Sequence, residues 1–229
     1  NFSMRCSLLF SDVKYLPPRK PEGNYKSQFG QDYYLEKFGL ISKNGFFVEV
    51  GCNHPIFNSN SYYLEKHLLF SGVSIDGIDY SAEYSELRSK TKFLNILIDK
   101  HIGELDFYIV KNVDGWENQV SSIHRATLSM GKGFKADVKR LRTSPISAIE
   151  EINRPIDLCL IDVEGHELQV LDSINWTINA PSVVVVENNG EFYPRKKLVR
   201  YMTGRNYRHF ARIGSSDDIF VSYKFSEKL

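Results

Sequence analysis

The sequence predicts a doubly wound α/β fold with a mostly parallel sheet and an antiparallel last strand, on three observations. Short β-rich apolar runs alternate with helical patterns from Phe46 onward, the order of βαβ units. Two runs, residues 156–161 and 183–186, are near-continuously apolar, as strands covered on both faces must be. Two further runs flank the turn-like Gly214-Ser215-Ser216-Asp217 near the end of the chain, which predicts a terminal antiparallel pair.

In chain order, residues 1–26 carry Pro17, Pro18, Pro21, Gly23 and several charges without an apolar period. They read as an extended arm, giving an extension over 1–25 and one domain over 26–229. Apolar runs at 46–50, 73–78 and 93–98 predict strands, and the patterns at 61–70 and 82–89 predict the helices between them. Residues 104–110 alternate as a strand. Residues 112–135, polar and with three glycines, read as an insertion or long loop, often a functional element. Ser144 as N-cap and Pro145 at the first helical position predict a short helix over 145–152. A buried strand over 156–161 follows, then a helix over 164–174 with Leu168, Val170, Leu171 and Ile174 at helical spacing. Val183 to Val186 predicts another buried strand, 198–204 the last helix, and 207–213 with 219–223 the antiparallel pair.

Composition excludes several classes. The chain has 229 residues, 42% hydrophobic, with Lys+Arg 29 against Asp+Glu 28 and a pI of about 7.8, which rules out disorder and collagen-like structure. A formal charge of +1 gives no global field for nucleic acid or a membrane surface, and no apolar run approaches the ~20 residues of a spanning helix. Cys6, Cys52 and Cys159 form no CxxC pair, so a reducing, cytoplasmic setting is expected. The sequons at Asn1 and Asn175 would matter only in a secreted protein. The chain starts at Asn1 without a signal-peptide pattern, as expected of a processed or trimmed chain or a domain of a longer enzyme.

In an open α/β sheet the ligand lies across the carboxyl ends of the strands, and here those ends are polar. The first, Glu49-Val50-Gly51-Cys52-Asn53-His54, has the small and polar composition of a backbone passing close beneath a ligand. A lone Gly51 is neither a GxGxxG fingerprint nor a P-loop, which favours a cofactor without phosphates. At the second end a carboxylate can accept from both hydroxyls of an adenosine ribose. Asp79 is preferred there because it follows Ile78, the last apolar residue of the run, whereas Asp76 interrupts that run. Asp99, at the third end, can reach an adenine edge or cap a turn. The fourth end, Asp162-Val163-Glu164-Gly165-His166-Glu167, packs acids against one another directly after a buried strand, at a cost that points to function. Glu187-Asn188-Asn189-Gly190 closes the next strand.

Ser27-Gln28-Phe29-Gly30-Gln31-Asp32, residues 46–53, Ser59-Asn60-Ser61 with Leu64-Glu65, Asp79 and Ile161-Asp162-Val163-Glu164-Gly165-His166-Glu167 together resemble the FkbM family of S-adenosylmethionine-dependent methyltransferases, from about Lys26 to Tyr223. The Asp-x-Glu-Gly-x-Glu element carries most of that resemblance, while Asn53 and Pro55 stand where methyltransferases often have further glycines. The resemblance implies a class I methyltransferase (Rossmann-like) fold and O-methylation of hydroxyls on sugars or polyketide-like products. By position it places Glu49, Gly51, Cys52, Asn53 and His54 in the methionine-side loop, with Asn60 nearby and Gln28 and Gln31 as further pocket residues. It makes Asp79 the ribose clamp, and Asp162 with Glu164, His166 and Glu167 the catalytic cluster.

The expected reaction is O-methylation of a sugar, glycan or other small-molecule hydroxyl. His166, whose reference pKa is near ~6.5, is the expected base, with Glu164 or Glu167 orienting its ring. Alternatively Asp162 and Glu187-Asn188, on strands about 4.8 Å apart, supply oxygens to Mg2+, which lowers the hydroxyl pKa. The competing enzyme reading is RNA ribose methylation through Arg195, Lys196, Lys197, Arg200, Arg205, Arg208 and Arg212; an inactive cofactor-binding interaction module is a third. An ordinary solvated face explains those cations more simply, so a nucleic-acid partner is not expected. Trp116 and Trp176 read as core or lid residues, Cys159 as core, and His67, His101 and His209 have no metal-like partner in sequence. His124 and Arg125 lie in the long loop.

Overall fold

The computed structural model describes residues 12–111, 121–123 and 135–226. Its elements are β1 (Lys14–Leu16), α1 (Gln31–Lys37), β2 (Phe46–Val50), α2 (Tyr62–Leu68), β3 (Ser71–Ile75), α3 (Ser81–Leu87), β4 (Thr91–Leu94), β5 (Leu97–Ile98), β6 (Gly103–Lys111) and β7 (Lys135–Ser144). Two 3₁₀ turns (Ile146–Ala148, Glu150–Ile152) then lead to β8 (Leu158–Ile161), α4 (Glu167–Asp172), β9 (Val183–Glu187), α5 (Arg195–Thr203), β10 (Tyr207–Ile213), β11 (Asp217–Ser222) and α6 (Tyr223–Ser226). Trp116, His124, Arg125 and Cys6 fall outside the described residues.

The main sheet has the order β1-β10-β11-β9-β8-β2-β3-β4. β4, β3, β2, β8 and β9 run parallel, and β11, the last strand, is antiparallel to both β9 and β10. This is the class I methyltransferase fold that the sequence resemblance implied. The chain winds outward from β2 in both directions, so the switch in strand order lies between β2 and β8, where such sheets bind ligands.

Alternation along the central strands explains the unbroken apolar sequence of β8 and the near-continuous one of β2, interrupted only by Glu49. Phe46, Val48 and Val50 of β2 join Ile161, Val184 and Val186 in one core with α4, α5 and the 3₁₀ turns. Phe47 joins Leu158, Leu160, Val183 and Val185 in a second core under α1 and α2. Each strand is thus apolar on both faces because helices cover both.

Several elements differ from expectation for physical reasons. The helix expected over 145–152 is two 3₁₀ turns, because Ile149 is extended between them (φ −85°, ψ 117°). Ile146, Ile149 and Ile152 all enter the core, and a spacing of three is the 3₁₀ repeat. The strand expected over 93–98 breaks after Leu94, and Leu97–Ile98 joins a second, three-stranded sheet in the order β5-β7-β6. β7, not expected as a strand, pairs antiparallel with β6 along its whole length; it is mostly exposed and charged, so it lacks an apolar signature. The helix expected from 164 starts at Glu167, since Glu164 and Gly165 have φ of 52° and 102°. Of the arm, residues 12–25 are described, and Lys14–Leu16 within them forms β1, which pairs parallel with β10 at the sheet edge. Among the described residues no helix is long and apolar enough to cross a membrane.

Candidate active site

Gly51 sits where β2 and β8 converge, and the convergence dictates its identity. Its φ is 79°, and a Cβ there would fall 1.6 Å from the Asp162 carbonyl oxygen. The glycine is required by the neighbouring strand end as well as by any ligand above it. Gly51 and Cys52 both donate their N–H groups to the Ile75 carbonyl, which ties the loop to β3.

A cavity opens over these ends. Gly51, Cys52 and Asn53 line it at β2, Asp76 and Gly77 at β3, Ile96, Leu97 and Ile98 beyond β4, and Asp162, Glu164 and His166 after β8. Phe107 of β6 closes the apolar end, while Gln28, Asn58, Asn60, Glu187 and Ser216 give the other end a polar lining. Because β3 lies between β2 and β4 in the sheet, Asp76 stands between the glycine loop and the apolar slot.

The two carboxylates weighed for the ribose clamp have different places. β3 ends at Ile75, two residues of turn follow, and Asp79 is exposed outside the cavity, where it accepts from Ser81 N at 3.0 Å. Ser81 holds its carboxyl below the usual range. Asp76 accepts from Asn53 N and Ile78 N, both at 2.8 Å, and burial pushes it up to about 6. Asn95 donates to the carbonyls of Asp76 and Gly77, so the strand stops where a distant side chain captures its backbone.

The acids after β8 and β9 converge. Oxygens of Asp162, Glu164 and Glu187 lie within 4.8 Å of one another. Glu187 is driven far upward, first by the charge of Asp162 and then by burial, and burial raises Asp162 as well. Burial, then Asp162, Glu167 and Glu191, push Glu164 up to about 8. Such a cluster cannot carry all its charges at neutral pH.

The other expected residues have separate places. His166 lines the cavity, and its Nε2 meets Asp99 Oδ2 at 2.8 Å, a contact that ties the start of α4 to the end of β5. Asp99, thus occupied, does not line the cavity as an adenine contact. Glu167 is buried below, accepting from Gly165 N at 2.8 Å and Tyr193 Oη at 3.0 Å. His54 turns its Nδ1 to Ile56 N and Phe57 N and shapes the loop from outside the cavity. Gln31 caps its own turn, accepting from Phe29 N, whereas Gln28 reaches the cavity. Glu49 lies beneath the floor, bonded by Ser61 Oγ at 2.6 Å and Ser74 Oγ at 3.2 Å, and burial pushes it up to about 7. Asn188 donates through its Nδ2 to Asp218 at 3.4 Å, and the acid that joins Asp162 and Glu187 is Glu164.

Sequence reasoning passed over Asp217, which it read as part of a turn. Asp217 begins β11 opposite Glu187, is buried, and is pushed up to about 7 by burial and the charge of Asp162. Only strand pairing brings it there. Of the basic stretch, Arg212 is buried and paired with Asp218 at 2.8 Å, Arg205 lies over Tyr201 and pairs with Asp172, and Arg208 lies over Phe210, while Arg195, Lys196, Lys197 and Arg200 are exposed on α5.

Residues 49–209 match the model of the methyltransferase FkbM domain. No curated protein sequence matches the chain. Among solved structures it is similar to a provisionally assigned ribosomal RNA methyltransferase of Plasmodium falciparum, with TM-score 0.42 and 12% identity over 83% of this chain and 91% of that one. It is also similar to phosphoethanolamine N-methyltransferase 1 of Haemonchus contortus, crystallised with phosphoethanolamine and S-adenosylhomocysteine, with TM-score 0.35 and 10% identity over 87% of this chain and 41% of that one.

Proposed function

The chain belongs to the FkbM methyltransferase family, and on that premise we propose that it moves the methyl group of S-adenosylmethionine to a hydroxyl of a sugar or glycan. The observation that carries this reading is the convergence of Asp162, Glu164 and Glu187 in the same cavity as Gly51 and Asp76.

The residues fit the cofactor. Asp76, charged above about pH 6, offers a ribose diol a carboxylate held in place by backbone N–H groups. Ile98 and Phe107 form an apolar slot suited to an adenine ring. Asn60 lines the polar end, and its Oδ1 is buried without a partner among the described residues, a ready acceptor for an ammonium donor. Bound there, the cofactor supplies an electrophilic methyl on a sulfonium.

The chain's own work is to place and deprotonate the acceptor. Gln28, Asn58 and Ser216 supply the hydrogen-bonding groups that a polyhydroxylated ligand needs. Glu164, titrating near 8, is matched to accept a hydroxyl proton around neutral pH. Glu187, protonated beside Asp162, can donate a hydrogen bond that orients the acceptor oxygen. Orientation over the rigid strand ends supplies the rest of the acceleration. Because Arg205, Arg208 and Arg212 are occupied, the reading favours a small acceptor over RNA.

The test is incubation with methyl-labelled cofactor and a panel of glycans, nucleosides and capped RNA, with products identified by mass spectrometry. Label on a sugar oxygen supports the reading; label on RNA or on a nitrogen overturns it.

A further inference from the structure

We propose that Arg88 is a positioning residue for the cofactor: from beneath the cavity it sets the conformation of the loop over residues 51–61, on which the methionine end of S-adenosylmethionine rests. The proposal deepens the methyl-transfer reading and rests on it. The loop joins β2 to α2 without a helix or strand of its own, and Gly51, Cys52, Asn53, Asn58 and Asn60 all line the cavity. Asn53 and Asn58 have φ of 51° and 56°, left-handed conformations that persist only where the surroundings fix them.

Arg88 follows the last turn of α3 and is 2% exposed; its side chain does not line the cavity. Each N–H of its guanidinium has an acceptor. Nε donates to Glu65 Oε2 at 2.8 Å, Nη1 to the Pro55 carbonyl at 2.8 Å and Ser59 Oγ at 3.4 Å, and Nη2 to Ser61 Oγ at 3.0 Å and Thr91 Oγ1 at 3.2 Å. Pro55, Ser59 and Ser61 belong to the loop. A guanidinium that only neutralised Glu65 would meet the carboxylate with two parallel N–H groups; here Nε alone does so, and both Nη groups reach the loop. Ser61 in turn donates to Glu49 Oε2 at 2.6 Å, which joins the end of the loop to β2.

The same helix holds the loop at its other end. Tyr80, the N-cap of α3, donates through Oη to Asn53 Oδ1 at 2.9 Å, Tyr84 packs with Cys52, and Asn53 N donates to Asp76 at 2.8 Å. α3 therefore fixes the methionine-side loop relative to the carboxylate at the end of β3, the two places that one cofactor must reach at once. A lysine could pair with Glu65 but has no planar fork to reach Pro55 and Ser61 at the same time.

Calorimetry with S-adenosylhomocysteine on Arg88→Lys and on the double substitution Arg88→Met/Glu65→Met tests the assignment. The double substitution removes both buried charges together, which leaves stability near native, while Pro55 and Ser61 lose their donor. A loop that then holds the binding conformation for about 1–10% of the time lowers affinity about 10- to 100-fold, with Arg88→Lys falling between that and the native value. With saturating cofactor, kcat and the acceptor KM should change less than about threefold, because bound cofactor restores the loop. Leu198→Ala, a truncation in the other core under α5, is the control for stability: at an equal loss of Tm its cofactor affinity should change less than about twofold, as for a distant site. Native affinity in both Arg88 variants, or a loss matched by Leu198→Ala, overturns the proposal. In the unsubstituted chain free of cofactor, the amides of Ile56 and Ser59 should exchange with solvent hydrogen as slowly as those of α3, a readout that survives if a variant fails to fold; exchange at the rate of an open loop also overturns it. The methyltransferase reading fails separately, if the unsubstituted chain does not bind S-adenosylhomocysteine at all, and the loop exchange does not depend on it.

Discussion

Substituting Asp76 and Asp79 in parallel separates two carboxylates three residues apart. Asp76 lines the cavity and accepts from two backbone N–H groups, whereas Asp79 is exposed and bonded to Ser81. In Asp76→Asn one oxygen becomes an NH2 group. Both original oxygens already face backbone donors at 2.8 Å, so the amide must turn a donor toward a donor. It also loses the charge that strengthens a bond from a ribose hydroxyl. One lost charge-assisted bond and one weakened bond amount to about 2–4 kcal/mol, or roughly 30- to 700-fold in affinity. Asp79→Asn keeps an oxygen for Ser81 N, as asparagine does at a helix N-terminus, and should change affinity less than about twofold, in line with an exposed polar substitution. Calorimetry with S-adenosylhomocysteine measures both, and thermal unfolding reports on the loop itself. If Asp79→Asn weakens binding as much as Asp76→Asn, the placement of the cofactor along β3 is wrong.

Gly51→Ala should prevent close approach of β2 and β8, since its Cβ would meet the Asp162 carbonyl at 1.6 Å and the left-handed φ alone costs about 1–2 kcal/mol; a variant with native Tm and native cofactor affinity contradicts this. Glu164 must be ionised to act as base, so kcat should rise with pH, reach half its limit near 8 and level off above. Glu164→Gln should lose about 10²–10⁴-fold together with that rising limb. Glu49 and Asp217 are both pushed up to about 7 in the folded state, above their unfolded values. Their contribution to stability is full below about pH 4 and is lost as pH rises through 7, on the order of 3 kcal/mol each. Tm should therefore fall between about pH 5 and 8, and Glu49→Gln should flatten that slope.

The strands of the sheet core were legible because their burial on both faces is written as unbroken apolar runs, and Gly51 because a strand end must turn without a side chain. The acidic cluster stood out for a similar reason: acids after an apolar strand have a cost that local structure does not offset. What local pattern could not supply was the partner of each acid. Asp76 and not Asp79 lines the cavity because Asn95, from the next strand's end, captures the carbonyls of Asp76 and Gly77, and because Phe107 packs so close to Gly77 that a Cβ there would lie 2.7 Å from its ring. Nothing near His166 in sequence shows that Asp99, 67 residues away, meets its ring. Asp217 reads as a turn residue until the register of β11 sets it opposite Glu187. β7 escaped notice because a mostly exposed, charged strand has only Leu141 and Thr143 buried.

A crystal structure of the chain with S-adenosylhomocysteine tests the account of the cavity most directly. The account predicts the ribose hydroxyls on Asp76, the adenine between Ile98 and Phe107, the amino-acid end at Gly51 and Asn60, and the sulfur facing Asp162, Glu164 and Glu187. A ligand whose ribose lies on Asp79, or whose sulfur points away from the three carboxylates, would contradict it.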